Sequence, residues 1–369
     1  MKFLVAPDKF KGSIDSISLC NIIRKEILFI YPDAVVDSYP LADGGDGFAD
    51  IIRYYFSTHE VNVETVDPIG RPIVATYQMD KDNSLAFIEM ASASGLVLLK
   101  EHEKDPMRSS SYGTGLMIKH AIQQGAKKIL LGIGGSATND AGMGMASALG
   151  YLFIDENQEP LDPCGENLLY IHEIINPEKN LLEGVDVQVA CDVNNPLFGP
   201  NGAAYVYAPQ KGANAQQVEL LDNGLRNISD VFKKHAEINI AEMPGAGAAG
   251  GMGAGASIFL NGTLIPGVEY IIESIGLEEK IIHADHIITG EGGFDAQSLQ
   301  GKVVGHITEL AKKHGKKISI ICGISSIAKS RSSELGIDRI ISIADLAPTN
   351  EDSINRPKDF LPEAVRLLF

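Results

Sequence analysis

Residues 128–149 read KILLGIGGSATNDAGMGMASAL, and this stretch decides the fold class. It begins with an apolar run at 128–133 that has the length and the branched residues of a buried β-strand. A polar turn rich in glycine follows, and the run of small residues at 141–149 predicts a helix. Strand, turn and helix in this order form the repeating unit of an α/β protein with a parallel sheet.

The same alternation extends in both directions from this stretch. Short runs rich in Val and Ile predict further buried strands at 3–6, 34–38, 187–191, 286–289, 318–322 and 339–343. Apolar residues at helical spacing predict helices at 16–30, 48–56, 114–124, 215–235, 303–314 and 362–368. The expected fold class is therefore α/β with mostly parallel sheets.

Residues 60–98 depart from the alternation. The runs at 61–66, 73–79 and 85–90 predict strands with no helix between them, so two or three antiparallel strands are expected there. Simple alternation returns near Asp285. This change of pattern indicates a second domain.

Two domains are the default for 369 residues, because one hydrophobic core rarely serves so long a chain. We expect a discontinuous first domain with a doubly wound sheet of the Rossmann or flavodoxin type, formed by residues 1–70 and 280–369. A second α/β domain, residues 71–279, is expected to be inserted into it. The glycine and alanine run at 245–256 is flanked by apolar sequence, so we interpret it as ordered close packing or a helix start.

Composition and charge exclude several classes of protein. The chain has 31 basic and 48 acidic residues and a net charge of −17, which argues against a nucleic-acid partner. Its four cysteines form no C-x-x-C pair, so neither a zinc site nor a disulfide framework is indicated. The apolar runs are too short for a signal peptide or a membrane span. We expect a soluble, cytoplasmic protein with no membrane partner, and the sequence leaves its oligomeric state open.

Five short polar segments rich in glycine and aspartate follow the predicted strands. They are PDKFKGS from Pro7, LADGGDG from Leu41, GIGGSATND from Gly132, CDVNNPLFGP from Cys191 and TGEGGFD from Thr289. Ligands of open parallel sheets bind beyond the carboxyl ends of the strands. Glycine admits close approach of a ligand, and aspartate supplies oxygen for a metal or a proton. Together the segments predict one large polar site suited to a phosphorylated, magnesium-bound substrate.

The segment from Gly132 to Asp140 is the first candidate for anion binding. Backbone N–H groups at a helix start bind anions, and hydroxyl and amide side chains add donors. The candidate residues for binding substrate or phosphate are Gly134, Gly135, Ser136, Thr138 and Asn139. The alternative is a capped helix start, because Ser, Thr, Asn and Asp all cap helices well.

The same segment permits a rival interpretation as a dinucleotide fingerprint. Gly132, Gly134 and Ala137 match G-x-G-x-x-A, and Asp155 lies about 20 residues further on. A second match at 245–250 follows no predicted strand. The polar cluster at 136–140 exceeds what a nicotinamide cofactor needs, and its aspartate would repel a pyrophosphate that lacks a metal. An NAD(P)-dependent oxidoreductase stays an alternative.

Charged residues at the predicted strand ends are candidates for phosphoryl chemistry. Lys9, Lys11 and Lys302 could neutralise a transferring phosphoryl group or a carboxylate. Asp192 directly follows a predicted strand and is our candidate for positioning or deprotonating a substrate hydroxyl. Further residues expected to bind substrate or phosphate are Asp8, Ser13, Asn194, Gln297 and Ser298. For each residue the alternative is a solvated loop position or a helix cap.

Four carboxylates are candidate magnesium ligands. Asp43 and Asp46 flank a pair of glycines, and Glu291 and Asp295 lie four residues apart in TGEGGFD. Magnesium is usually held by one or two carboxylates together with waters and substrate phosphates. The P-loop pattern and the signature segments of protein kinases are missing, so neither kinase class is indicated.

Assembled, these segments resemble the glycerate kinase type 1 family, the bacterial glycerate 2-kinases. The stretches that carry the resemblance are APDKFKGS, PLADGGDG, SYGTG at 111–115, GIGGSATNDAGMGM, CDVNNPLFGPNGAA, PGAGAAGGMGAG and ITGEGGFDAQSLQGK. They occur in order along essentially the whole chain. The resemblance implies ATP-dependent phosphorylation of D-glycerate with Mg²⁺, giving 2-phosphoglycerate or, in some members, 3-phosphoglycerate. It also implies two α/β domains with the site in the cleft between them.

One position departs from the family pattern. Members usually carry an arginine after T-G-E-G, and this chain carries Gly293 there. If that arginine contacts phosphate or a carboxylate, this chain lacks a bidentate clamp. A non-catalytic protein that binds glycerate or a nucleotide is therefore a second alternative.

Overall fold

A computed structural model of the chain describes residues 1–42, 48–236, 238–296, 298–299, 302–328 and 331–369. Its contacts divide the chain into two units. The discontinuous unit is formed by Met1–Asp43 and Pro266–Phe369, and the continuous unit by Gly44–Ile265. The domain assignment made from the sequence, with boundaries at 70/71 and 279/280, stays a prediction.

The described residues form strands and helices throughout the chain. The strands are β1 (Lys2–Val5), β2 (Val35–Ser38), β3 (Thr58–Val66), β4 (Pro72–Asp80), β5 (Leu85–Glu89), β6 (Lys128–Gly132), β7 (Leu152–Ile154), β8 (Glu173–Ile175), β9 (Asp186–Ala190), β10 (Thr263–Ile265), β11 (His286–Phe294), β12 (Lys317–Ser325) and β13 (Arg339–Ser342). The helices are α1 (Ser16–Ile30), α2 (Phe48–Tyr55), α3 (Ala91–Ser94), α4 (Tyr112–Gln123), α5 (Met143–Ala148), α6 (Ala203–Tyr207), α7 (Ala215–Ala236), α8 (Ala248–Phe259), α9 (Gly267–Ser274), α10 (Leu277–Ile282), α11 (Val303–Lys313), α12 (Asn350–Asn355) and α13 (Pro357–Arg366). None of these helices is long and apolar enough to cross a bilayer.

The discontinuous unit is built on a sheet of five parallel strands in the order β13–β12–β11–β1–β2. The apolar run of β1 is buried because it lies inside the sheet, where Phe3 is paired with Val36 on one side and with His286 on the other. From β1 the chain passes to β2 on one side, and the later strands add on the other. The strand order therefore reverses between β1 and β11, which is where open sheets bind ligands.

Helices cover both faces of this sheet. Alternate strand residues such as Val5 and Ile321 pack in one cluster with α1 and α13, whereas Ile320 packs in a second cluster with Val304 of α11. Helix α1 begins where Asp15 accepts a hydrogen bond from the Ser18 N–H at 2.7 Å, which is a standard N-cap. Its predicted bounds are confirmed.

The continuous unit contains a mixed sheet in the order β10–β9–β6–β5–β4–β3. The pairs β3–β4 and β4–β5 are antiparallel, and the other three pairs are parallel. This confirms the antiparallel strands expected between residues 60 and 98. A separate two-stranded antiparallel sheet, β7–β8, was not expected from the sequence. With one fully parallel and one largely parallel sheet, the predicted α/β fold class is confirmed.

Several predicted boundaries are wrong. The helix expected at 362–368 begins at Pro357, and the strand expected at 318–322 continues to Ser325. Two further differences have reasons visible in the backbone. The strand expected to end at Thr289 continues to Phe294, pairing Glu291 with Cys322, so the segment TGEGGFD begins inside β11. The helix expected from Ala141 begins at Met143, because Ala141 and Gly142 have φ angles of 49° and 73° that no right-handed helix contains.

The run at 245–256 is ordered close packing, as predicted. A Cβ on Gly247 would lie 2.1 Å from the Pro196 carbonyl oxygen, and one on Gly253 would lie 2.1 Å from that of Gly245. Three consecutive residues from Ala249 to Gly251 have positive φ, so the start of α8 is kinked. Glycine is required here because backbone meets backbone.

Candidate functional site

The strand ends at β1 and β11 bring the first set of predicted residues together. Backbone pairing continues past β1, since Ala6 N–H donates to the Ile288 carbonyl and Asp8 N–H to the Gly290 carbonyl, each at 2.8 Å. The Thr289 hydroxyl donates to the Ala6 carbonyl at 2.7 Å. This pairing fixes Asp8, which is buried, beside the part of β11 that carries Glu291, which is also buried.

The segment PDKFKGS then closes into a turn against β11. Phe10 and Ile14 exchange backbone hydrogen bonds of 2.8 and 3.0 Å. A Cβ on Gly292 would lie 3.1 Å from the Lys11 nitrogen, so the turn packs directly on the strand. Lys9 is half-buried and Lys11 is exposed.

Ser13 and Ser298 take part in bonds within the protein. The Ser13 hydroxyl donates to the Ile354 carbonyl. Ser298 is fully buried, and its hydroxyl lies 3.0 Å from the Asp295 nitrogen, 3.1 Å from the Gly293 carbonyl and 3.2 Å from Asp295 Oδ1. Ser298 therefore organises the turn that carries Asp295, and its role in substrate binding stays a prediction.

The remaining predicted residues of the discontinuous unit are only partly placed. Lys302 is half-buried and immediately precedes α11. Asp43, Asp46 and Gln297 lie outside the described residues. Over the described parts of the chain, no group of three or more His, Cys, Asp or Glu side chains could hold a metal ion.

In the continuous unit, the turn after β6 runs beside the segment that follows β5. Met90 N–H donates to the Gly132 carbonyl, Leu96 N–H to that of Gly135, and Ala137 N–H to that of Ser94. Gly135 has a φ of 73°, which favours glycine. These hydrogen bonds hold the turn in place, and it leads into no helix until Met143.

This geometry does not support the dinucleotide interpretation. In that fingerprint the glycine loop opens a helix directly, but here Ser136 forms an isolated bridge with Gly95. Asp155 follows β7, a strand of the small sheet, and accepts hydrogen bonds from the N–H groups of Asn157 and Glu159. The second match at 245–250 lies in the kinked start of α8.

Asp140 is the centre of a buried hydrogen-bond network. Its Oδ2 accepts from the Ser111 nitrogen and hydroxyl, each at 2.7 Å, and from Gly144 N–H at 3.2 Å, while Oδ1 accepts from Gly142 N–H at 3.2 Å. Burial raises the pKa of this carboxyl, and the four donors act in the opposite direction. Asp140 thus ties the turn to the SYGTG segment and to the start of α5.

Lys211 is the residue at this site that sequence reasoning missed. It ends the short 3₁₀ segment Pro209–Lys211, and its buried Nζ donates to Ser136 Oγ at 2.8 Å and to the Thr138 carbonyl at 2.7 Å. Burial lowers its pKa to about 7, and the charge of Asp140 opposes that shift. Its local signal is weak, since PQKG looks like an ordinary turn.

Thr138 and Asn139 are fully buried behind the turn. In the described part of the protein, Thr138 Oγ1 and both polar atoms of the Asn139 amide have no hydrogen-bond partner. The start of α8 is pressed against them, because a Cβ on Gly250 would lie 2.1 Å from the Thr138 carbonyl oxygen. Burying these groups without partners costs free energy, so a bound water or a rearrangement on ligand binding is expected to satisfy them.

The segment after β9 presents Asp192, which is half-buried, and Asn194, which is exposed. The rest of this segment is anchored, because the Asn195 amide donates to the Asn201 carbonyl and accepts from the Tyr207 hydroxyl. Further along, the Asp222 carboxylate accepts from Gly199 N–H at 2.7 Å and from Arg226. Asp192 therefore stands on a loop with a fixed base, at the same sheet edge as the turn after β6.

Comparisons of the sequence and of the structure with known proteins all point to the same family. The sequence matches the model of the Glycerate kinase family over residues 3–369. Glycerate 2-kinase of Escherichia coli (strain K12) is 38% identical over 367 residues, 99% of this chain and 96% of that protein. Glycerate kinase of Halalkalibacterium halodurans is 37% identical over 367 residues, 98% of this chain and 96% of that protein. A crystal structure provisionally named glycerate kinase 2, from Salmonella typhimurium LT2, matches with a TM-score of 0.83 and 34% identity, covering 100% of this chain and 97% of that one.

Proposed function

Because the chain belongs to the glycerate kinase family, we propose that it transfers the γ-phosphoryl group of ATP to D-glycerate and releases ADP and 2-phosphoglycerate. The observation that carries the proposal is the family match over residues 3–369. Family membership makes the chain a kinase and implies ATP as the phosphoryl donor. The acceptor hydroxyl, the residue roles and a site in the cleft between two domains are parts of the proposal.

Asp192 is proposed to hold the attacking hydroxyl of glycerate and to accept its proton. A phosphoryl transfer enzyme needs a carboxylate that orients the nucleophile. Asp192 is half-buried on an anchored loop that directly follows β9. Asn194 on the same loop is proposed to add a hydrogen bond to glycerate.

Three lysines are proposed to neutralise negative charge in the transition state. Lys9 and Lys11 belong to the turn packed on β11, and Lys302 precedes α11 in the same unit. A lysine near the transferred oxygens stabilises charge that develops as the bond to ADP breaks. The support for this assignment is that Lys9 and Lys11 follow β1 at the strand-order reversal, where ligands of open sheets bind.

Glu291 and Asp295 are the described residues that fit a magnesium ion. Both supply the carboxylate oxygens that Mg²⁺ prefers, and Mg²⁺ bound with ATP needs only one or two of them. Asp43 and Asp46 are proposed as further ligands. When bound, Mg²⁺ would neutralise charge on the phosphates. The Asp295 carboxylate is oriented for this by Ser298 N–H, which donates to Oδ1 at 2.9 Å.

The proposal is tested by measuring ADP release over a panel of small hydroxy acids, with and without magnesium. We expect release with D-glycerate and ATP, and little with lactate or glycolate. Binding of D-glycerate or ATP, seen as a rise in melting temperature without any ADP release, would favour a non-catalytic binder instead. Oxidation of NADH with a keto acid would favour the oxidoreductase, which the turn geometry does not support.

The product identifies the acceptor hydroxyl. A phosphate on C2 is coupled to one proton and appears as a doublet in the ³¹P spectrum, whereas a phosphate on C3 is coupled to two and appears as a triplet. We expect the doublet. A triplet would show that the product is 3-phosphoglycerate, and the protein would still be a glycerate kinase.

A further inference from the structure

We propose that Lys211 is a positioning residue that aims the Ser136 hydroxyl at an anionic group of the bound substrate. This inference rests on the proposed function, because it takes the turn from Gly132 to Asp140 as the place where a phosphate or the glycerate carboxylate binds. It adds a residue that lies far from that turn in the sequence.

The position of Lys211 is fixed by its own segment. Gly212, which follows it, has a φ of 103°, and a Cβ there would lie 2.3 Å from the Lys104 carbonyl oxygen. The backbone after Lys211 therefore packs directly against the backbone of Lys104. From this position the Lys211 side chain, 2% exposed, reaches the turn and donates to Ser136 Oγ and to the Thr138 carbonyl.

Hydrogen-bond chemistry then decides what Ser136 can do. An ammonium group has three donors and no acceptor, so the contact of 2.8 Å requires Ser136 Oγ to accept from Lys211. The proton of the Ser136 hydroxyl is left to be donated elsewhere. Ser136 is itself buried, at 6% exposed, but it directly follows Gly134 and Gly135, which are exposed, whereas Thr138 is fully buried. Its hydroxyl is therefore the side-chain group of this network that lies next to the exposed part of the turn.

The energetic cost of the arrangement supports a functional role. The donors described for the Asp140 carboxylate come from Ser111, Gly142 and Gly144, and none of them is Lys211. A buried ammonium that is not directly ion-paired is expensive. An uncharged side chain could pack in the same space, whereas a donor-only group is needed to direct the Ser136 proton outward.

The protonation state of Lys211 should decide whether the Ser136 hydroxyl donates to a ligand. Asp140 is the charged group that faces Lys211, and the neighbouring Lys104 pairs with Glu101. When Lys211 loses its proton, Nζ gains a lone pair and can accept from Ser136, which withdraws the donor from the ligand. Burial places the pKa of Lys211 at about 7, so the contact should weaken as the pH rises through neutrality.

The test uses Ser136→Ala, Lys211→Met and the double variant, with Lys128→Met as the control. Lys128 is an exposed lysine at the other end of β6, so its loss removes the same charge without touching the turn. At pH 6 we expect Ser136→Ala to raise the KM of one substrate roughly tenfold or more, with a smaller effect on kcat. The double variant should raise it no further than Ser136→Ala does, because the lysine acts through the hydroxyl.

The wild type should show that same KM rising between pH 6 and pH 8.5, and Ser136→Ala should lose this dependence. Ser136→Ala with an unchanged KM for both substrates overturns the inference, as does an effect of Lys211→Met that adds fully to that of Ser136→Ala. If Lys211→Met does not fold, Ser136→Ala and its pH profile still decide.

A readout without turnover separates this inference from the proposed function. The rise in melting temperature with ATP, ADP, D-glycerate or inorganic phosphate is measured for the wild type and for Ser136→Ala at pH 6. If the wild type is active and the ligands raise the melting temperature of both proteins equally, only the proposed role of Lys211 is refuted. If the wild type is inactive but phosphate raises its melting temperature, and Ser136→Ala loses that rise, the kinase proposal is refuted and the anion site is retained. If no ligand raises the melting temperature of the wild type, both proposals are refuted.

Discussion

At the scale of residues, the sequence identified where the polar chemistry lies but not how its members are bonded. The turn at 134–139 was found from residue types alone, because Gly, Ser, Thr and Asn after a strand are typical of an anion site. The structure exposes Gly134 and Gly135 but buries Ser136, Thr138 and Asn139, a distinction that composition does not carry. Lys211 was missed because its contact is tertiary and no local spacing encodes it.

Replacing Asp192 by Asn should lower turnover by about a hundredfold or more while leaving the KM for ATP near its original value, because a general base acts on the acceptor hydroxyl. Steady-state kinetics with each substrate varied in turn measures both constants. Asp186→Asn, at the exposed start of the same strand β9, is the control and should keep full turnover. Unaltered turnover in Asp192→Asn would remove Asp192 from the mechanism.

Gly293, where the family usually has arginine, should accept a side chain. Among the described residues other than its chain neighbours, no atom lies within 4 Å of a Cβ built there. We therefore expect Gly293→Ala and Gly293→Arg to change the unfolding free energy by less than about 0.5 kcal/mol. Gly290→Ala in the same strand is the contrast, because its Cβ would lie 2.0 Å from the Ile321 carbonyl oxygen. Urea denaturation measures all three. Equal losses at both positions would contradict this account of β11.

At the scale of elements, helix α1 and most strands of four or more residues were predicted, and the strands of three residues were not. The bounds of α1 follow from a cap and an apolar stripe that are both local. Strands β7, β8 and β10 have three residues each, too few to show a period. Strand β11 was predicted too short because its glycines suggest a turn, whereas the sheet requires glycine where neighbouring backbone leaves no space.

The kinked start of α8 gives a prediction about close packing. Gly250 and Gly184 have φ angles of 73° and 74°, so replacement by Ala strains the backbone equally. Only Gly250 is also crowded, with the Thr138 carbonyl oxygen 2.1 Å from its Cβ position, whereas Gly184 has open space. We expect Gly184→Ala to lower the unfolding free energy by about 1 kcal/mol. Gly250→Ala should lower it by more than about 3 kcal/mol.

Thermal or urea unfolding of the two variants measures this difference directly. Gly250→Ala should also weaken substrate binding, because the displaced backbone belongs to the turn that holds Ser136 and Thr138. Comparable stability of the two variants would show that α8 can move away from the turn at little cost.

At the scale of the whole molecule, the family resemblance and the α/β class were both predicted correctly. The resemblance succeeded because several motifs in a fixed order are far more specific than any one of them. Which strands lie next to each other within each sheet was not predictable. Strand order depends on packing between distant parts of the chain. It places two of the polar segments at the carboxyl ends of the neighbouring strands β1 and β11, and two at the carboxyl ends of the neighbouring strands β6 and β9.

The discontinuous unit should lose stability in mild acid through His286. This side chain is buried between Phe3 and Phe369, and burial lowers its pKa to about 4 from 6.5. The unfolded chain therefore binds the proton first, so stability falls as the pH drops from about 6.5 toward 4. Urea unfolding at several pH values should show a shallower fall for His286→Gln than for the wild type.

His102→Gln, which replaces an exposed histidine, should keep the acid response of the wild type. Carboxylates contribute equally to all three proteins, so the difference between them isolates the imidazole. An unchanged response in His286→Gln would mean that the pKa of His286 is the same in the folded and the unfolded chain.

The central place of β1 in its sheet affects how the chain is made. The first strand leaves the ribosome with β2 close behind, but its other neighbour, β11, begins only at His286. At about 5–20 residues per second, one edge of β1 waits on the order of ten seconds or more for its partner. The residues of the continuous unit all emerge during that interval. Nascent chains stalled before His286 should therefore expose an apolar strand edge that chaperones recognise.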